Sequence, residues 1–356
     1  MKPMKFQKNR VRRTYRGGSM LDAWQQSSTC TDSDRPEEWI ASSVLAINNG
    51  KSVIEHEGLS VTEDGISLRD LIAEHPVELL GKQHVARFGP VMGVLTKALD
   101  ACERLSIQVH PDREAARRLF QSDYGKTEAW YILGGRTIDG CPPCIYAGFQ
   151  PGITADRWES LFHKQDIPGM LECLEKIPVQ PGEVYLLRGG VPHAIGAGCF
   201  LIEIQEPTDY TIRTERTTVS GDLIPDLLCH QGLGFERMFE CFHFGNQEPP
   251  CRLLPYPKVR QGPAVITPLV TYRDTTAFAM EEWYIDGEIP LPCNGIFFLL
   301  ICISGDGVIR TPGEEDILLG QGEAVLVPAE CEDGYISGDH MRVLRCLPPC
   351  VDSALV

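Results

Sequence analysis

The sequence predicts a mainly β chain: two related β-barrels, the first carrying a site and interrupted by helical insertions, the second degenerate. Three observations carry that expectation. From Gly182 onward the chain is a series of short apolar runs separated by glycine and proline, the texture of all-β barrels and sandwiches. Within residues 105–133, two strand-like runs hold polar residues two apart, Gln108 with His110 and Lys126 with Glu128. On a strand each such pair points to one face. Finally, the stretch from Gly182 to Gly196 is echoed by that from Gly322 to Ile336, with Asp333 where the first copy has His193.

The elements follow in chain order. RTYRGG at 13–18 precedes PEEWIASS at 36–43, where Pro36 and two acids predict the first turn of a short helix. Helical patterns cover 66–79, 91–105 and 111–121, the last opened by Pro111 with apolar residues at Ala115, Leu119 and Phe120. Residues 153–177 read as two helices broken at Ile167-Pro168-Gly169, an insertion between β segments. Five prolines in 249–263 mark a linker or an irregular edge segment. This organisation divides the 356 residues into a catalytic barrel at 1–248 and a second barrel at 264–356.

Charge and composition narrow the partners. Lysine and arginine number 33 against 49 acids, a net charge of -16, which argues against nucleic acid and against an anionic membrane surface. An anionic substrate therefore needs a local basic pocket. The longest apolar run, 296–303, falls well short of the roughly eighteen residues of a membrane span, and no signal-peptide core follows the basic N-terminus. The chain is thus expected in the cytoplasm, with its 14 cysteines mostly free and buried. Cys141 and Cys144 form a CPPC without a second CxxC to complete a metal knuckle.

Inward polar residues need a reason, because burying one without a partner costs roughly 2–7 kcal/mol. Gln108, His110, Glu128 and His193 together offer two imidazole nitrogens and two oxygens, a set suited to a divalent cation such as zinc. With no thiolate in the set, the site is expected to be catalytic and to keep a position open. Taken alone, His193 would be a satisfied loop residue after a Gly-Pro turn. Glu203 shares a strand face with Gln205, and with Arg213 it forms either a structural ion pair or a proton-moving carboxylate beside a fixed cation. Lys126, Ser106 and Lys97, the last placed on the helix 91–105, read either as solvated groups or as a cradle for a phosphate.

Four segments, SIQVHPD, GKTEAWYIL, GGVPHAIGAG and EIQ followed by TIR, resemble in order the type I mannose-6-phosphate isomerases of the short bacterial branch, a cupin family. The resemblance implies cupin (jelly-roll) barrels and one zinc ion per chain on Gln108, His110, Glu128 and His193. It implies a hexose phosphate as the small-molecule substrate, mannose 6-phosphate and fructose 6-phosphate being interconverted through a cis-enediol. Arg213, Glu203 and Lys126 would be catalytic, and Ser106 and Lys97 would contact phosphate. The base remains open among Glu203, Lys126 and a metal-bound water. At 209–216 the sequence reads DYTIRTER, so that Ile212 stands where the family commonly has tyrosine. Other readings are an isomerase of a related sugar phosphate, a sugar-phosphate-binding cupin without turnover, and a metal-dependent oxygenase with a two-histidine, one-carboxylate iron site. Nothing in the sequence sets the oligomeric state.

Overall fold

The computed structural model describes residues 1–48, 56–245 and 251–352. Three antiparallel sheets dominate it. The first has seven strands in the order Arg10–Val11, Glu37–Ile40, Leu95–Asp100, Cys199–Gln205, Glu128–Gly135, Val184–Leu187, Cys251–Leu253. Facing it is a five-stranded sheet in the order Ile212–Arg213, Gln108–Val109, His193–Ile195, Cys144–Phe149, Leu174–Pro178. The first barrel is therefore two facing sheets whose ladders do not join among the described residues. The third sheet, of eight strands, spans 259–347.

Side-chain alternation assigns each face of the seven-stranded sheet its partner. Leu99, Trp130, Ile132, Tyr185, Leu187 and Leu201 point inward, against Ile145, Ala147 and Ile195 of the five-stranded sheet. Ala98, Ala129, Tyr131, Leu186, Ile202 and Ile204 point the other way and join one core with Phe278, Met280, Leu299, Ile301 and Leu344 of the third sheet. The outer face of the five-stranded sheet is covered by helix Ala155–Lys164 and its neighbours through Trp158, Phe162 and Phe242. The site occupies one end of the space between the two facing sheets.

Three expectations change. Residues 91–105 carry the strand Leu95–Asp100, not a helix. This strand is buried on both faces, so its apolar residues do not alternate and the run imitates a helical period. One of its polar groups is held internally: Asp100 Oδ2 accepts from the N–H groups of Gly18 and Met20 at 2.9 and 2.8 Å. Pro36 opens the strand Glu37–Ile40, whose acids are held by arginines and a lysine from other elements. In 153–177 the helices are Ala155–Lys164 and Ile167–Glu172, and Leu174–Pro178 is a strand. The break lies at Gln165, in the left-handed region, while Pro168 sits in the first turn of the second helix, where its missing N–H costs nothing. Of the proline-rich 249–263, residues 249 and 250 lie outside the described residues; Cys251–Leu253 pairs with Val184–Leu187, and Val259–Gln261 with Ala264–Val270.

Candidate metal centre and active site

Register brings the predicted residues together. Gln108 pairs directly with His193 and with Arg213, while Glu203 lies opposite Lys97 on one side and Trp130 on the other. Glu128 opens its strand from the facing sheet. The ligand atoms of His110, Glu128 and His193, all three residues buried, lie within 4.8 Å of one another.

The second ring nitrogens fix which atoms face the centre. His110 Nδ1 donates to the Tyr210 carbonyl at 2.7 Å and His193 Nδ1 to the Val191 carbonyl at 2.9 Å. Both Nε2 lone pairs are thereby turned inward, the tautomer a metal ligand requires. Each stands 3.3 Å from one Glu128 oxygen, and Glu128 Oε1 is buried with no hydrogen-bond donor. A cation is present in this space: Lys126 Nζ reaches His110 Nε2 at 2.8 Å and Glu128 Oε2 at 2.5 Å. The Gln108 amide nitrogen lies 3.2 Å from His193 Nε2, and half a turn of that amide presents its oxygen instead. The donor set thus fits a divalent metal.

Electrostatics agree with this geometry. Burial, assisted by Lys126, pushes His110 down to about 3, so its imidazole is neutral. Burial opposes ionisation of Glu128, yet the Lys126 ammonium holds it well below the usual carboxylate range. Glu203 goes the other way: burial raises it against the pull of Lys97.

Glu203 pairs with Lys97 at 3.2 Å and approaches Lys126 at 3.8 Å; no ion pair with Arg213 forms among the described residues. Arg213 donates instead to the Leu228 carbonyl at 2.8 Å, and burial beside Arg13 pushes it down to about 10. Ser106, Lys97, Lys126, Glu203 and Arg213 line one small cleft with Gln108. Lys97 lies on a strand, between Glu203 and Glu37, with its ammonium over the Trp39 ring.

Several wall residues escaped the sequence reading. Arg13 forms a two-bonded pair with Asp209, 3.0 Å for each bond, and meets Glu37 at 3.2 Å. Tyr15 and Trp39 each donate to Glu37 at 2.8 Å. RTYRGG and PEEW contain all four of Arg13, Tyr15, Glu37 and Trp39, and an acid pair ahead of a tryptophan was the available signal that the segment is buried.

Comparison with known proteins follows the same lines. The family "Phosphomannose isomerase type I, catalytic domain" matches residues 44–128, and "Mannose-6-phosphate isomerase, cupin domain" matches 269–348. Over 300 residues, the chain is 29% identical to the mannose-6-phosphate isomerase of Streptococcus mutans, covering 83% of this chain and 84% of that one. It is 27% identical to a probable mannose-6-phosphate isomerase of Bacillus subtilis, covering 83% and 85%. The crystal structure of the mannose 6-phosphate isomerase from Bacillus subtilis superposes with a TM-score of 0.76 at 22% identity, covering 97% of this chain and 99% of that one.

Proposed function

We propose, for a chain that belongs to the type I phosphomannose isomerases, that it interconverts mannose 6-phosphate and fructose 6-phosphate with a zinc ion held by Gln108, His110, Glu128 and His193. The observation that carries this reading is the inward convergence of two Nε2 atoms on a buried carboxylate whose Oε1 has no donor. When bound, zinc would polarise the carbonyl and hydroxyl oxygens of the sugar.

The remaining work falls to the chain. Glu203, raised by burial, takes the proton from C2 and returns it to C1 of a cis-enediol, since a carboxylate tuned upward suits both steps. Arg213 stabilises the developing enediolate charge from a fixed position on two backbone carbonyls. Lys126, whose ammonium lies 3.8 Å from Glu203, would contact the sugar oxygens, while Ser106 and Lys97 take the phosphate.

Charge balance supports a dianionic substrate. Around the centre, Arg13, Lys97, Lys126 and Arg213 face Glu37, Glu128, Glu203 and Asp209, four cations against four carboxylates, all buried except the half-buried Arg13. A divalent ion would leave the excess positive charge that a phosphate dianion cancels. Ile212 lies in the apolar cluster with Ile107, Val109 and Met238, away from the cleft, which favours turnover over a binding-only role. Among the described residues thirteen cysteines are free thiols, which suits a reducing compartment, and we place the chain in the cytoplasm.

The test is the isomerase assay on metal-replete protein. Activity is expected to disappear with a chelator and return with zinc. No conversion of either sugar phosphate by the metal-loaded protein would remove the reading.

A further inference from the structure

Away from the cleft, the C-terminal half brings two cysteines together. Cys293, half-buried, and Cys331, buried, both direct Sγ at the same Glu332 carbonyl oxygen, at 3.4 and 3.3 Å. Register explains the meeting. Pro290 pairs with Tyr335, and the Leu291 N–H donates to the Gly334 carbonyl at 2.8 Å. The two chains thus leave the ladder side by side, and Cys293 comes opposite the turn that holds Cys331.

We propose that Cys293 and Cys331 form a redox-active dithiol that closes to a disulfide in the presence of glutathione disulfide. The Cys293 thiolate attacks one sulfur of glutathione disulfide; its S–S bond breaks, a protein–glutathione bond forms, and one glutathione thiolate leaves. The Cys331 thiol then gives up its proton, attacks Cys293 Sγ, and expels the second glutathione thiolate. Two thiols are oxidised, one disulfide is reduced, and the two departing thiolates take up the two protons. The half-buried Cys293 makes the first attack and the buried Cys331 resolves it, in keeping with the burial that pushes the Cys331 thiol up to about 12. Closure clamps the turn that docks on the N-terminal half, where the Ala329 and Glu330 N–H groups donate to the Leu79 and Glu78 carbonyls at 2.9 and 3.0 Å.

The experiment uses the reduced full chain. Glutathione disulfide is raised until the exposed Cys30 and Cys141 carry glutathione; remaining thiols are then alkylated and peptides mapped by mass spectrometry. The expected product is a cross-link between Cys293 and Cys331, lighter by two hydrogens and reopened by dithiothreitol. In Cys331→Ser, Cys293 should be trapped as a glutathione adduct, and in Cys293→Ser no cross-link to Cys331 should form. Recovery of both residues as alkylated thiols in the wild type, or a lasting glutathione adduct on Cys293 there, overturns the proposal. Wild-type mapping and the half-buried Cys293→Ser decide the matter even where Cys331→Ser does not fold.

Discussion

His193 turns Nε2 to the centre because its other nitrogen is committed to the Val191 carbonyl, so removal of this ring takes away a proposed ligand and, of the apolar core, only its edge-on contact with Trp130. His193→Ala is expected to lower metal affinity by about 100-fold or more and to abolish turnover. Circular dichroism should stay native, and full metal content in that variant would take His193 out of the site. Asp333, its counterpart in the second barrel, is exposed, and Asp333→Ala should change stability by less than about 0.5 kcal/mol. A second residue-scale expectation concerns pH. His110 is pushed down to about 3 in the folded chain, so below the ordinary histidine range, about 6.5, the unfolded chain binds the extra proton. Glu128, held low, adds to this on further acidification. Stability of the metal-free protein should therefore fall between about pH 6.5 and pH 3, and the fall should shrink in His110→Asn. Melting temperatures that rise on acidification would contradict this.

At the scale of elements, the turn before His193 is set by packing. Gly190 has φ 90°, its N–H donates to the His110 carbonyl at 2.7 Å, and an added Cβ would sit 2.4 Å from the His243 ring. Gly190→Ala is expected to cost about 1–3 kcal/mol and to weaken metal binding together with stability; metal affinity preserved at the lower stability would separate the turn from the site. Much of this was readable in the chain. Alternation in QVH and KTE set two inward faces, and the echo of residues 182–196 in 322–336 corresponds to strands Val184–Leu187 and Ala324–Val327, each entered by a left-handed glycine. The strand Leu95–Asp100 was not readable, because a strand covered on both sides loses its period of two. Nor was Glu37: an acid after proline resembles a helix start until Arg13 and Lys97, remote in sequence, are known to hold it.

At the scale of the molecule, the second barrel is filled. Trp283, Phe298, Leu300, Val325 and Val343 occupy its interior, which leaves no room for a centre like the first. Its other face shares a core with the seven-stranded sheet, and Tyr131 donates to Glu282 at 2.6 Å while accepting from Arg342 at 3.0 Å. Residues 264–356 expressed alone would expose that apolar face, so the fragment is expected to aggregate, and the full chain to unfold in one transition. A soluble fragment with a cooperative melt of its own would show that the shared core is dispensable.

The pairing of Arg13 with Asp209 spans 196 residues. On the ribosome, at about 5–20 residues per second, Arg13 would wait roughly 10–40 seconds for that carboxylate to be synthesised. Until then the N-terminal strands carry charges without their final counterpart and cannot be sealed from water. The cleft is consequently among the last parts of the nascent chain to set, and a truncated product ending before Asp209 should be open to proteases at its N-terminal strands.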